Sequence, residues 1–406
     1  MLQAMKTRSK AALFRPLELP CGTILRNRIA KSAMSDSLGD GRGDPTEAQI
    51  RLYERWAAGG LAVSIVGEVQ GSPHFAEKPG NLVLGPGSDA ARFRALARGG
   101  SANGAQLWLQ LGHAGAMAYP PTSGPRGPSA LDSPGLTCSA LTVREVQSLP
   151  SEFARTARLA QDYGFGGVEI HAAHGFLLSQ FLSPLFNRRQ DRYGGALANR
   201  MRLLLEVVAE VREAVGPRFP VAIKLNATDQ LEGGFAADDA RAVVATLDRS
   251  GLDLIDISGG TYFPGARSAS DGTGRGPYFL DFAESVRPLT RTPLMVTGGF
   301  KTLRQAADAL DRGVDMIGLA RALVLEPALP NGWRSGTAGD PAFPTLQNPP
   351  EGGLTAWYTM RLTQIAGNCE TSDVGDPEAA LRACDARDAA RIAPWNARAR
   401  AWPEAG

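Results

Sequence analysis

The chain has 406 residues, of which 43% are hydrophobic and 21% charged, and its formal net charge is +2. This balance is ordinary for a globular protein, and the lack of a basic field argues against a nucleic-acid partner. No apolar run approaches the roughly 20 residues that a membrane helix needs. The basic residues 1–12 precede no apolar segment, so we predict no secretory signal and a cytoplasmic location.

The cysteines and histidines form no metal-binding or disulfide pattern. The four cysteines are scattered without a Cys-x-x-Cys pair, which predicts reduced thiols and argues against a disulfide framework or an iron–sulfur cluster. A catalytic zinc needs three protein ligands. His171 and His174 could supply two, but no third ligand stands at a typical spacing. We therefore predict no metal site.

Short apolar segments alternate with amphipathic patterns along most of the chain. The predicted strands are 29–34, 61–68, 107–111, 167–171, 221–225, 254–258, 294–297 and 316–319. The predicted helices between most of them are 47–58, 90–98, 151–163, 199–215, 237–250, 280–289 and 302–311. Eight parallel strand–helix units predict an α/β fold, the (β/α)8 TIM barrel. A doubly wound open sheet is the alternative, but no Gly-x-Gly-x-x-Gly opens a helix after any of these strands.

Two segments interrupt the alternation. Residues 117–150 are rich in proline and form the longest irregular stretch, which is typical of a functional lid. The second segment is the C-terminus, where 330–353 is rich in proline and glycine, 356–365 is helical, and 376–406 forms an external helix or stays disordered. We interpret this tail as a solvated appendage. The predicted organisation is an N-terminal tail at 1–12, a barrel at 13–330 and a C-terminal extension at 331–406.

The segment 166–200 carries the clearest functional signal. A short apolar strand ends at His171, and His174 follows three residues later. Polar residues at the C-terminal end of a barrel strand lie where barrel enzymes place their chemistry. Taken alone, the two histidines could equally be hydrogen-bonded core residues. The longer motif HAAHGFLLSQFLSPLFNRRQDRYGG, however, closely resembles the Old Yellow Enzyme family of FMN-dependent ene-reductases, and the resemblance extends over about 13–365.

The resemblance implies a catalytic role for His171 and His174, which would hold the carbonyl oxygen of the substrate. It also implies departures from the family pattern. Phe176 occupies the position where many members have a tyrosine that protonates the substrate. Ala116 replaces an arginine that often follows the third strand. We therefore expect the proton to come from water, or from Tyr119 or Tyr262.

The end of the first strand is where the resemblance implies contacts beneath the flavin ring of FMN. These contacts come from Ser32, Ala33, Met34 and Ser35. Ser35 stands where family members have cysteine or threonine, which leaves the redox tuning of the flavin open. Gly67 follows the second strand, and a small residue there lets the ring lie close to the backbone.

Gln110 and Lys224 each end a predicted strand. A side-chain amide both donates and accepts hydrogen bonds, which suits the pyrimidine edge of a flavin, and the resemblance assigns Gln110 that contact. Lys224 takes the place of a family arginine beside the flavin, where a cation would stabilise the reduced cofactor. By itself Lys224 is equally consistent with a Schiff-base nucleophile.

The last two strands carry the signals for a phosphate. Gly298 and Gly299 follow the seventh strand, and Ala320 and Arg321 follow the eighth strand at the start of a helix. Barrels commonly bind phosphate with these two loops, through backbone amides, a helix N-terminus and a bidentate arginine. The pattern predicts a phosphorylated ligand, which could be FMN or a phosphosugar.

Three functions fit these residues. The first is an FMN-dependent reductase that uses NADH or NADPH to reduce an activated C=C bond in a small electrophilic alkene. The second is a Schiff-base aldolase or phosphosugar isomerase that uses Lys224. The third is a flavin-dependent amine demethylase or a flavin-binding barrel without enzymatic activity. The joint occurrence of Gln110, His171, His174 and Arg321 favours the first. The sequence is also compatible with a homo-oligomer.

Overall fold

A closed barrel of eight parallel strands forms the centre of the computed structural model, which describes residues 10–263, 266, 276–346, 348–370 and 374–403. The strands are Ile29–Ser35 (β1), Val63–Gln70 (β2), Gln106–Gly112 (β3), Gly167–Ala172 (β4), Val221–Asn226 (β5), Leu254–Ser258 (β6), Leu294–Thr297 (β7) and Met316–Leu319 (β8). Each strand pairs with the next in parallel. Strand β8 pairs with β1, which closes the barrel and confirms the predicted fold.

Alternating side chains along these strands face the barrel interior or the surrounding helices. The lower interior is apolar and contains Ile65, Trp108, Ala222, Leu254, Met295 and Met316. Side chains of the opposite parity, such as Ile170, Ile223 and Ile255, pack in the outer core. Because both faces are buried, the strands appear in the sequence as nearly continuous apolar segments.

Helices cover the outside of the barrel. They are Glu47–Ala58 (α1), Ala90–Gly100 (α2), Val143–Asp162 (α3), Arg202–Val215 (α4), Ala237–Leu247 (α5), Leu280–Val286 (α6), Leu303–Asp311 (α7), Gly353–Gly367 (α8) and Pro377–Arg400 (α9). Short helices occupy Leu177–Leu182, Leu197–Arg200, Arg321–Leu325 and Leu329–Ser335, and 3-10 turns occupy Pro73–Phe75, Ala102–Gly104, Gly115–Met117 and Arg287–Leu289. Short strands at Leu17–Glu18 and Ile24–Leu25 form a hairpin, and Leu82–Val83 pairs with β2.

The interpretation of 117–150 as an irregular stretch is wrong. It contains a small sheet made of Arg126–Gly127, Leu131–Ser133 and Leu136–Ala140. Helix α3 then begins at Val143, because Thr142 and Glu145 form a capping box. The helix continues through Pro150 since the apolar face on both sides of the proline, with Leu149 and Phe153, stays buried.

The interpretation of the C-terminal tail as a solvated appendage is also wrong. Helix α9 packs on the barrel, and the fully buried Trp395 donates its indole N–H to the carbonyl of Pro73 at 3.0 Å. Helix α8 packs against α1, where Arg51 donates to the carbonyl of Ala366 at 3.0 Å. Helix α9 docks because its large indole ring is then removed from water, which is favourable.

Across the described ranges, no helix combines the length and apolarity that membrane crossing requires. All four cysteines are free thiols. The same part of the chain contains no group of three or more histidine, cysteine, aspartate or glutamate side chains that could hold a metal ion.

Candidate active site

The parallel barrel brings the predicted site residues to one face, because all eight strands end there. The register places Ser35 of β1 opposite Gly67 of β2. It also places His171 of β4 opposite Lys224 of β5. Gln110 of β3 is linked to the same region through a hydrogen bond from its amide nitrogen to Glu169 Oε1 at 2.7 Å. Residues from five strands are thus brought together.

A polar layer lies across the barrel interior just below these strand ends. Lys224 is paired with Asp256, and its Nζ is 3.8 Å from Glu169 Oε1. Thr297 donates to Asp256 Oδ1 at 2.7 Å, and its hydroxyl lies 2.8 Å from that of Ser32. Every charged group in this layer therefore has a polar partner, as buried charges require.

Burial and pairing determine the charges in this layer. Desolvation alone would lower the pKa of Lys224, but Asp256 and Glu169 together raise it above its ordinary value of 10.5. Burial raises the pKa of Glu169 to about 8, although Lys224 lowers it. Lys224 is accordingly a cation. A Schiff-base nucleophile needs a neutral amine with a lowered pKa, so this pairing argues against the aldolase alternative.

His171 and His174 form the wall of the site above the polar layer. Their ring centroids are 5.3 Å apart and the rings meet at 74°. Burial lowers the pKa of His174 to about 3, and burial with the nearby His174 and Lys224 holds the pKa of His171 well below 6.5. Both imidazoles are therefore neutral near pH 7, and each keeps one N–H donor.

The neighbouring strands orient His174. Its Nε2 lies 2.8 Å from the Ser258 hydroxyl at the end of β6, and its backbone amide donates to Asn226 Oδ1 at 3.1 Å. The backbone of His174 is in the left-handed region, at φ 61°. A histidine rarely adopts this conformation, and the Asn226 contact helps to hold it there. Sequence reasoning missed Asn226 and Ser258. Both occupy the C-terminal ends of barrel strands, and that position could have identified them.

Aromatic side chains complete the wall beside the histidines. Phe176 is buried, with its ring centroid 4.9 Å from that of His171. The half-exposed Tyr262 has its ring centroid 5.6 Å from His174 and 6.2 Å from Phe176. Its amide donates to the carbonyl of His174 at 3.0 Å. The structure thus brings Tyr262 next to the phenyl ring that replaces the expected tyrosine.

The predicted phosphate residues lie at the ends of β7 and β8. Gly298 and Gly299 have φ angles of 112° and 82°, which favour glycine. The Arg321 guanidinium lies 5.1 Å from the ring centroid of Tyr358 in α8. Arg321 begins a helix of five residues. A helix this short aligns few peptide dipoles. Arg321 and the glycine turn therefore support the predicted phosphate site more than the helix dipole does.

These residues fit FMN. The Lys224 cation and the Gln110 amide lie side by side at the Glu169 carboxylate. A cation and an amide are the groups that the polar edge of a flavin requires. At Gly318 a side chain would collide with the hydroxyls of Thr297 and Ser32, at 2.2 and 2.3 Å. The barrel floor is therefore tightly packed, and a ligand would lie above it. A polar layer below, a glycine turn after β7 and an arginine after β8 are features expected of a barrel that holds a phosphorylated cofactor.

The chain belongs to the NADH:flavin oxidoreductase / NADH oxidase family, whose model matches residues 12–338. An NADH-dependent flavin oxidoreductase of Neonectria sp. (strain DH2) is 36% identical over 78% of this chain, which spans about half of that relative, 46%. Morphinone reductase has 27% identity and a TM-score of 0.70 over 82% of this chain and 92% of its own. The old yellow enzyme homologue from Zymomonas mobilis shares the fold, with 23% identity and a TM-score of 0.71 over 82% and 95%.

These comparisons confirm several predictions. The resemblance to the Old Yellow Enzyme family is confirmed, as is the enzyme class of flavin oxidoreductase. The predicted cofactors, FMN and a nicotinamide hydride donor, are those of this family. The residues that contact them, and the substrate that is reduced, are treated below as proposals.

Proposed function

We propose that this protein reduces an activated C=C bond beside a carbonyl or nitro group, with hydride from NADH or NADPH. Bound FMN would supply the hydride transfer between the nicotinamide donor and the β-carbon of the alkene. The observation that carries the proposal is the pair of neutral imidazoles of His171 and His174, 5.3 Å apart at the strand ends. The substrate is a small electrophilic alkene.

The two histidines would polarise the substrate oxygen. Hydride arrival at the β-carbon moves negative charge onto that oxygen, and fixed N–H donors stabilise the charge without reorganising. Ser258 and Asn226 hold His174 in place before substrate binds. This orientation supports a preorganised pair, because a mobile imidazole would lose much of its effect.

The cofactor would lie across the same face. Ser32, Ala33, Met34, Ser35 and Gly67 would contact its ring through the ends of β1 and β2. Gln110 would pair with the pyrimidine edge, and the Lys224 cation would stabilise negative charge there. Gly298, Gly299, Ala320 and Arg321 would hold the phosphate at the ends of β7 and β8.

Amine demethylation is the second function that the sequence allows. The histidine pair favours the reductase, because two N–H donors stabilise a developing oxyanion and have no equivalent partner on an amine. Anaerobic mixing separates the two functions. An amine would reduce the oxidised protein, whereas an alkene would oxidise the reduced protein.

The direct test is phenol binding. A phenol should stack on the flavin with its oxygen between His171 and His174, and a long-wavelength charge-transfer band should deepen as the phenol ionises. The double variant His171→Ala/His174→Ala should lose this band and react slowly with enones in the oxidative half-reaction. The control is His74→Ala, because His74 is exposed in the turn after β2. An unchanged band in the double variant would rule out the histidines as the oxygen site.

A further inference from the structure

Glu169 lies in the barrel interior beside Gln110, one of the residues proposed to contact the cofactor. The two residues are paired in register on the neighbouring strands β4 and β3. Both are buried, with exposed fractions of 0% and 2%. Gln110 Nε2 donates to Glu169 Oε1 at 2.7 Å, so one end of this buried amide is already bound within the protein.

The contact with Glu169 determines which way the Gln110 amide faces. Only the nitrogen of an amide carries hydrogens, so an accepting carboxyl oxygen selects the nitrogen as its partner. The amide oxygen Oε1 of Gln110 is then directed away from Glu169. Within the described part of the chain, no group donates a hydrogen bond to this oxygen. Gln110 therefore presents an acceptor for a ligand near the end of β3.

The charge of Glu169 does not change this orientation. Burial raises the pKa of Glu169 to about 8, although Lys224 lowers it, and a hydrogen bond with Asp256 raises it further. A hydrogen bond that raises the pKa of a carboxyl group favours the neutral form, so neutral Glu169 is the donor to Asp256. Lys224 Nζ lies 3.8 Å from Oε1, which disfavours a hydrogen on that oxygen. Oε1 therefore accepts from Gln110 in both charge states.

We propose that Glu169 is a positioning residue, which holds the Gln110 amide with its oxygen toward the cofactor. This inference rests on the proposed function, since it names the residue that orients one of the cofactor contacts. The pyrimidine ring of a flavin carries an N–H group at N3 between two carbonyl groups. Gln110 Oε1 accepts from this N3–H. The opposite orientation of the amide would place two donors against each other, so Glu169 selects a ligand that donates at this point.

Three substitutions of Glu169 separate orientation from charge. Glu169→Gln keeps an acceptor oxygen for Gln110, and its amide nitrogen donates to Asp256 as the neutral acid does. Glu169→Met fills a similar space without an acceptor of comparable strength. Glu169→Asp keeps the carboxyl group but is one methylene shorter, which withdraws that group from Gln110. The control is Glu210→Met, at an exposed position of α4.

The first measurement is the dissociation constant of FMN, obtained from flavin fluorescence as each holoenzyme is diluted. We expect Glu169→Met and Glu169→Asp to weaken FMN binding roughly ten- to hundredfold, because the Gln110 amide loses its fixed orientation. Glu169→Gln and Glu210→Met should bind FMN like the parent. In a Gln110→Met background, Glu169→Met should cause no further loss, since Glu169 acts through Gln110. Losses that add would overturn the proposal.

Raman spectra of the bound flavin give a second measurement, which does not depend on whether Glu169→Met folds. The vibration that includes N3–H bending shifts with the strength of the hydrogen bond at N3. It should keep the parental frequency in Glu169→Gln and report a weaker hydrogen bond in Glu169→Asp. A parental frequency in Glu169→Asp would overturn the proposal. If Gln110→Met bound FMN as tightly as the parent, the cofactor contact in the proposed function would fail, and the role of Glu169 with it.

Discussion

At the scale of single residues, the source of the substrate proton separates this protein from the family pattern. Phe176 has no hydrogen to donate, so the reduced substrate needs another acid. The ring centroid of Tyr262 lies 6.2 Å from that of Phe176 and 5.6 Å from that of His174. Tyr119 instead lies in another loop, where its backbone amide donates to the carbonyl of Ala76. The geometry therefore favours Tyr262 over Tyr119 as the donor.

We predict that Tyr262→Phe slows the oxidative half-reaction with weakly activated enones by about 100- to 10,000-fold, the usual value of general acid catalysis. Nitroalkenes should be affected less, because their reduced anions are already stable. The measurement is stopped-flow reoxidation of the reduced enzyme. Phe176→Tyr should restore the weak enones in the Tyr262→Phe background.

Tyr119→Phe is the matched control and should react like the parent. Water would be the proton source if both tyrosine variants reoxidised at the parental rate with weak enones. A loss confined to Tyr119→Phe would assign the donor to the other loop.

At the scale of elements, Lys31 lies between β1 and α1 where an apolar residue is expected. It is fully buried on the outer side of the barrel. Its Nζ donates to the carbonyl of Ile65 at 2.7 Å and lies 4.7 Å from the ring centroid of Trp56. Burial lowers its pKa from 10.5 to about 7, although Asp36 opposes the shift. This lysine therefore costs stability whenever it is charged.

We predict that Lys31→Met increases the free energy of unfolding by about 1–4 kcal/mol below pH ~7. The folded protein releases this proton near pH 7, whereas the unfolded chain keeps it to about 10.5. The unfolded state thus binds more protons in that window, so the stability of the parent rises with pH. The advantage of methionine should accordingly shrink between pH ~7 and pH ~10.

Denaturant unfolding of both proteins at about pH 6 and pH 9 measures this difference. Lys301→Met is the control, since Lys301 is exposed and lies 5.2 Å over the ring of Phe343. An advantage that is equal at the two pH values would show that Lys31 does not change its protonation there.

At the scale of the whole molecule, α9 connects the C-terminus to the loops that carry the site. Trp395 donates to the carbonyl of Pro73, and Arg391 Nη1 donates to the carbonyl of Ser37 at 2.9 Å. Asp388 pairs with Lys78. These partners follow β1 and β2, the strands that carry Ser35 and Gly67. The helix therefore adds long-range contacts to both loops.

We predict that Trp395→Ala lowers the free energy of unfolding by about 3–5 kcal/mol, the usual cost of removing a buried aromatic ring. The loop that follows β2 should also become a preferred site of limited proteolysis, since its anchor is lost. Thermal unfolding and a timed protease digest measure the two effects.

Arg382→Ala is the control on the same helix, because Arg382 is exposed and pairs with Glu378 at 2.9 Å along the surface. Its effect should stay within about 0.5 kcal/mol. If Trp395→Ala were equally mild, α9 would contribute nothing to the stability of the barrel.

The sequence by itself determined the barrel and the positions of its strands. The predicted strands 254–258, 294–297 and 316–319 coincide with β6, β7 and β8. Strands that are buried on both faces are apolar over short, continuous stretches, and such a signal is local. The predicted strands 107–111, 167–171 and 221–225 carry Gln110, His171 and Lys224, and they correspond to β3, β4 and β5 for the same reason.

Only the tertiary structure decided which side chains meet. The hydrogen bond between Ser258 and His174 joins residues 84 positions apart in the sequence, and the one between Trp395 and Pro73 joins residues 322 positions apart. Glu68 approaches His171 because β3 alone separates their strands in the closed barrel. The orientation of His174 and the burial of α9 follow from these distant contacts. Burial and pairing depend on neighbours that folding supplies, whereas the apolar pattern of a strand is carried by the strand itself.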